Sequence, residues 1–290
     1  MDPCPKKSIT GKAMLLVCLA ASPLAQAATV GYWRFENSSD LGADSGSNGL
    51  SLTNINTTPS VASPFSNPIP QTGAANSLTG DFEQSSSQSF SRADSGIFNF
   101  DDFTIEAYIR LESLDGSNPR VIASQLNTGT GASVAWQFGV TGTGSMIGNA
   151  VPFLQVSGDG TSLVNLGMAG NTLAINTNYY LAASVDFSVS GVTAIFYLQN
   201  LSVNGSLTNL SVSSASPTGG MFDSTANFAI GTSYNNNVRS RFFDGLIDEV
   251  RLSDNALPQG ELLASVPETS SAGLIVAAAL LLGTGRRRVR

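Results

Sequence analysis

The stretch FTIEAYIRL, residues 103–111, alternates without a break. Phe103, Ile105, Ala107, Ile109 and Leu111 fall on one side of an extended chain, and Thr104, Glu106, Tyr108 and Arg110 on the other. That is the period of a strand with one buried face. YYLAASVDF repeats it through Tyr179, Leu181, Ala183, Val185 and Phe187, and VTAIFYL through Val192, Ala194, Phe196 and Leu198. A turn within 186–191 joins these two into a hairpin. Further strands are expected at 31–36, 78–83, 120–125, 133–140, 151–157, 226–232 and 246–252. No helical period exceeds a turn near Pro258–Leu263, and residues 56–73, rich in Pro and Ser, read as a long loop. The expected fold is all-β, one domain over 28–265, with two antiparallel sheets packed face to face.

Missing residue types narrow the chemistry. The 290 residues contain no histidine, which excludes a Ser-His-Asp triad, a His-ligated zinc and an imidazole base. Both cysteines, Cys4 and Cys18, and all three lysines, Lys6, Lys7 and Lys12, lie near the N-terminus. There KKSITGK supplies a positive segment, AMLLVCLAA an apolar one, and Ala25-Gln26-Ala27 a small-x-small site. This is the layout of an export signal for the Sec translocon, cleaved before Ala28. The body from 28 to 265 then carries no lysine or cysteine, and its 7 arginines against 19 acidic residues leave a net charge of −12. Such a surface repels nucleic acid and anionic lipid and favours cations or neutral glycans.

The C-terminus holds a second apolar run, Ala272 to Gly285, followed by Arg286, Arg287, Arg288 and Arg290. It is at the short end for a membrane span, and the arginines place the C-terminus in the cytoplasm. Together with Val266-Pro267-Glu268-Thr269 before it, this order resembles the PEP-CTERM sorting signal of Gram-negative bacteria, with Thr269 where a second proline is usual. The resemblance implies recognition by an exosortase-type membrane protease, transient insertion of the tail, and transfer of the body to the cell surface, outer membrane or matrix. A permanent inner-membrane anchor is the alternative.

The body also resembles a family. VGYWRFENSSD with DSGSNG, FTIEAYIRL, NTNYYLAASVD with AIFYL, and FAIGTSYNNNVRSRFFDGLIDEVRLSDNALPQGELL are similar to LamG-like, concanavalin A-type jelly rolls. The closing Gly-Leu-Ile-Asp-Glu-Val-Arg strand carries most of the likeness. The resemblance implies a two-sheet jelly-roll sandwich and, in many such domains, a structural calcium between the first and last strands. Glu36 and Asp248 are the corresponding candidates here. Asp248 shares parity with Leu246, Val250 and Leu252, so it is expected to point inward, where a carboxylate needs a partner. Calcium would serve; so would Arg34, Arg251 or backbone amides.

Asp44 reads as an Asx turn. Trp33 and Trp136 alternate with Phe35 and Phe138 and belong in the core. Tyr234 and the run Asn235, Asn236 and Asn237 are the candidates for contact with a neutral ligand. The Glu-x-Asp-x-x-Glu spacing of laminarinase-type hydrolases is absent, and the adjacent Asp248 and Glu249 are expected on opposite faces of a strand. The expected function is therefore non-catalytic recognition or adhesion at the surface, toward extracellular polysaccharide or a protein. A carbohydrate-active enzyme with another carboxylate pair is the alternative, and a structural envelope protein without a ligand is a third reading.

Overall fold

A computed structural model describes residues 29–114, 116 and 118–266. Ala25, Ala27, Pro267, Glu268, Thr269 and the arginines 286, 287, 288 and 290 lie outside the described residues; Val266 is within them and exposed. Among the described residues no helix is long and apolar enough to cross a membrane.

In chain order the first strands are β1 Thr29–Trp33, β2 Thr53–Ile55, β3 Ser60–Ala62, β4 Leu78–Phe82, β5 Ser89–Arg92 and β6 Phe103–Leu111. Next come β7 Arg120–Thr128, β8 Ser133–Val140, β9 Pro152–Val156, β10 Val164–Gly167, β11 Asn178–Ser188 and β12 Gly191–Asn200. The last are β13 Thr208–Ser214, β14 Phe228–Ile230, β15 Ser233–Asn235, β16 Val238–Ser240 and β17 Gly245–Ser253. One sheet has the order β13-β12-β11-β6-β17-β4-β3, with β1 also on β17. The other runs β10-β9-β8-β7-β14-β5-β2 and takes the β15–β16 hairpin against β7. All pairings are antiparallel except β15 on β7. The expected β11–β12 hairpin pairs Tyr179–Ser188 with Gly191–Asn200.

The predicted inner residues of β6, β11 and β12 meet in the core between the sheets. Phe228 sits at its centre, stacked on Phe98 at 5.1 Å and on Trp33 at 4.8 Å, with Trp136 at 6.1 Å. Trp33 and Trp136 are fully buried, and the Trp33 indole N–H donates to the Leu50 carbonyl at 2.9 Å.

The expectation of one-sided burial for β6 is corrected. Thr104, Glu106 and Tyr108 are as buried as their inward neighbours. The reason is a second apolar cluster on the outer side of that sheet, where Phe65, Ile69, Leu257, Leu262 and Leu263 cover Tyr108, Tyr180 and Leu246. Residues 63–78 and 254–265 form this cover, and the 56–73 segment also contributes β3. Glu106 fastens it: its carboxylate accepts from Arg251 at 2.6 Å, the Tyr180 hydroxyl at 2.5 Å and the Leu263 amide at 2.8 Å.

Candidate functional site

Three places bring chemistry-bearing side chains together. The first is the middle of β17. Its one edge is shared: β4 pairs with Gly245–Ile247 and β1 with Val250–Ser253. The register against β6 shifts between Asp248 and Arg251, and Glu249 has φ +51°. A bulge therefore sits where the neighbouring strand changes. Ile247, Val250 and Leu252 face the core, while Leu246 belongs to the outer cluster. Asp248 is fully buried as expected, but beside Leu246 under the 63–78 cover and not with Val250 and Leu252.

The bulge also corrects the expected separation of Asp248 from Glu249. Both lie on the covered side. Glu249 accepts from Arg34 Nη2 at 2.9 Å and from the Tyr32 hydroxyl. Asp248 accepts from the Ser63 hydroxyl at 2.8 Å and the Glu249 amide at 2.9 Å. Arg34 pairs with Glu249 and Arg251 with Glu106, so neither candidate arginine serves Asp248. Burial pushes the Asp248 carboxyl well above the usual carboxylate range; the Glu249 charge pushes the same way, and hydrogen bonding opposes it. The Asn76 amide, 1% exposed, lies in reach of Asp248 and lowers its proton affinity, yet its oxygen and nitrogen have no partner of normal hydrogen-bond geometry. Glu36 reaches the same cover elsewhere, accepting from the Ser77 and Leu78 amides at 2.6 and 2.9 Å.

These groups fit a hard cation: a buried carboxylate without a cationic partner among the described residues, an orphaned amide oxygen and a hydroxyl. The fit rests on Asp248, Asn76 and Ser63. Glu36 is spent at least in part on backbone amides. Asp44 is a closed turn, accepting from the Tyr32, Gly46 and Leu50 amides at 2.9, 2.7 and 2.8 Å.

The second place is the β15–β16 hairpin. Asn236 and Asn237 have φ of +51° and +60° and form its two-residue loop. Two left-handed residues make the turn whose twist suits a hairpin, and asparagine accepts that conformation well. An Asn-Asn pair between short strands is thus a hairpin signal that a reading of the run as a polar loop misses. Asn236 is structural, its side-chain oxygen accepting from the Thr130 amide at 2.7 Å. Asn235 pairs with Val238 across the hairpin. Tyr234 and Asn237 line a cleft of about 160 Å³ with Asn127, Ser133, Thr225 and Asn227 among its walls. The Asn127 amide donates to Asn237 Oδ1 at 3.1 Å and accepts from the Asn237 amide at 2.9 Å. No charged side chain lines this cleft.

The third is an acidic cluster. Carboxylate oxygens of Asp81, Glu83 and Glu112 lie within 4.8 Å of one another. Burial and the charge of Glu112 raise the Asp81 carboxyl, and Arg110 pairs with Glu112 at 2.7 Å.

Residues 84–263 match the family model described as the concanavalin A-like lectin/glucanases superfamily (Laminin_G_3). The chain belongs to this superfamily. Among solved structures, domain 4 of AbnA, an extracellular arabinanase from Geobacillus stearothermophilus, in complex with arabinotriose, is similar with a TM-score of 0.56 at 15% identity. The match covers 84% of this chain and 100% of that one. Full-length tailspike protein 2 from an Escherichia coli O157:H7 bacteriophage matches with a TM-score of 0.51 at 13% identity, over 76% of this chain and 27% of the tailspike. These likenesses are of fold. No curated protein matches the sequence. The matched region contains both β17 and the β15–β16 hairpin, while β1, β4, Ser63 and Asn76 precede it.

Proposed function

We propose that this chain is an exported, non-catalytic recognition module that binds neutral extracellular polysaccharide through the Tyr234–Asn237 cleft. The observation that carries the reading is the lining: side-chain amides and hydroxyls beside one tyrosine, with no charge. Uncharged donors and acceptors next to an aromatic ring suit sugar hydroxyls. The arabinotriose held by the similar arabinanase domain supports a glycan as the ligand class. Export through the Sec translocon and sorting by an exosortase-type protease complete the proposal, with the cell surface, outer membrane or matrix as its location.

Affinity electrophoresis in gels containing arabinan and other neutral polysaccharides tests the cleft. Asn237→Gly keeps the left-handed turn while removing the amide. At least one neutral glycan is expected to retard the wild type, and Asn237→Gly to bind about tenfold or more weakly. Equal migration with every glycan would move the reading to a protein partner or a structural role.

A bound calcium belongs to the same proposal, held by Asp248, Asn76 and Ser63. It would supply the positive charge that the Asp248 carboxylate otherwise lacks. The enzyme alternative draws on the acidic cluster, whose separation within 4.8 Å is near the roughly 5 Å of retaining glycosidases. Release of reducing ends from a retarding glycan, lost in Glu83→Gln, would favour it.

A further inference from the structure

The outer side of the second sheet holds another groove, of about 250 Å³, apart from the Tyr234–Asn237 cleft. Trp136, Phe138, Leu154, Val156 and Leu166 face the core, so their strand neighbours point to the other side of the sheet, where Gln137 is buried, Gln155 half-buried and Asn165 exposed. The register sets Gln137 beside Gln155, and Gln155 beside Asn165, across β8, β9 and β10. Ile147 walls the groove, its side chain occupying the space a Cβ on Gly167 would need.

Arg241 stands at one end of this row. Its Nη1 donates to Gln137 Oε1 at 3.3 Å. A guanidinium can only donate, so the Gln137 oxygen faces Arg241 and its nitrogen faces Gln155. Gln137 then donates to Gln155, and Gln155 to Asn165. Each amide oxygen in the row is thus occupied by an N–H. The Gln155 and Asn165 nitrogens keep N–H groups to offer beside the rest of the guanidinium, so the groove is rich in donors and carries a positive charge.

Arg34, Arg110 and Arg251 each pair with a carboxylate. Arg241 has none among the described residues, and no described carboxylate lines the groove. Arg241 is half-buried, and desolvation lowers its proton affinity without any acidic neighbour to restore it. Its backbone has φ +56°, a conformation that costs a non-glycine residue free energy. The Val121 amide donates to its carbonyl at 3.3 Å in that conformation. A strained, partly desolvated cation without a counter-ion, in a molecule whose body is strongly acidic, is costly unless a ligand supplies the charge.

We propose that this groove is a second subsite, taking the carboxylate of an acidic sugar unit such as a uronic acid residue. Arg241 and the amide row donate to the carboxylate, and the sugar ring lies against Ile147. Carboxylates are matched by the guanidinium fork and by clustered N–H donors. The inference rests on the reading of the chain as a glycan-recognition module, but uses different residues from the neutral cleft.

The test is affinity electrophoresis of the full chain in gels containing polygalacturonate or its fully methyl-esterified form. Polygalacturonate is expected to retard the wild type, less so as salt rises, and the ester is expected not to. Arg241→Gln should weaken polygalacturonate binding by roughly tenfold or more, the scale of a charge-assisted hydrogen bond. Asn237→Gly should leave it unchanged, and Arg241→Gln should leave retardation by a neutral glycan unchanged, so the two sites can fail separately. If Arg241→Gln loses the wild-type near-ultraviolet circular dichroism, Gln155→Ala replaces it, with a several-fold loss expected. Absence of retardation by polygalacturonate, equal retardation by acid and ester, or full binding by a folded Arg241→Gln or Gln155→Ala variant overturns the proposal.

Discussion

Asp248 concentrates the residue-scale physics. Its carboxyl is raised by burial and by Glu249, so the folded chain holds this proton more tightly than the unfolded chain does. The resulting stability is complete below the ordinary carboxylate value of 3.8 and is lost as pH rises through the raised folded value. In chelator-treated protein, Asp248→Asn should raise stability at pH 7 by about 1–3 kcal/mol and leave it nearly unchanged near pH 3.5. The Glu249 amide and the Ser63 hydroxyl bond to different oxygens of Asp248, so the new amide keeps its oxygen toward the Glu249 amide while its nitrogen donates to the Ser63 hydroxyl oxygen. With calcium present the order at pH 7 should reverse, because the variant lacks the ligand charge. Thermal melts of both proteins at the two pH values, with calcium and with chelator, check this; a wild-type melt indifferent to chelator would remove calcium from the proposal.

At the scale of elements, the decisive features are a bulge and a cover. Alternation in LIDEVRL predicts that Asp248 shares a face with Val250, and that is what a regular strand would do. The bulge inserts one residue, so every side chain after Glu249 changes face. Nothing local in the seven residues announces it. Its cause is the exchange of β4 for β1 along one edge, which is set by residues more than 150 positions upstream. The cover over the outer side depends on Glu106 in the same way. Glu106→Gln would leave Arg251 charged and buried without its carboxylate, at a cost of about 3–5 kcal/mol. Adding Arg251→Met should recover most of that loss, because the buried charge that lacks a partner is then gone. Denaturant unfolding of the single and double variants measures both.

For the whole molecule, the sandwich is asymmetric. The first sheet is covered on its outer side over β6, β17 and the adjoining part of β11, while toward β12 and β13 that side opens into grooves beside Tyr197 and Gln199. The second sheet keeps a polar outer side, where the Arg241 groove lies. Both proposed subsites lie on the second sheet and its hairpin, where the Arg241 groove offers a local positive charge on a body whose net charge is −12. The proposed export and sorting of the chain make a prediction on this scale. Intact mass of protein extracted from the surface of the producing cell should correspond to a chain that begins at Ala28 and has lost its C-terminal arginines. A mature species that retains Arg286 to Arg290 would sink the sorting proposal and favour a permanent anchor.

Sequence alone determined the class of fold, the inner faces of β6, β11 and β12, and the core place of both tryptophans. These follow from period-two alternation and from the cost of exposing large apolar side chains, which act within a few residues. The Asn-Asn hairpin was also legible in principle, since left-handed turns select their residues locally. The tertiary structure decided the rest: that the polar side of β6 is covered, that Asp248 faces Ser63 and Asn76, that Tyr234 and Asn237 share a cleft with Asn127, and that Arg241 meets Gln137. Each of these joins segments distant in the chain. Their side chains carry no common periodicity, and only the register of two packed sheets brings them within hydrogen-bond reach.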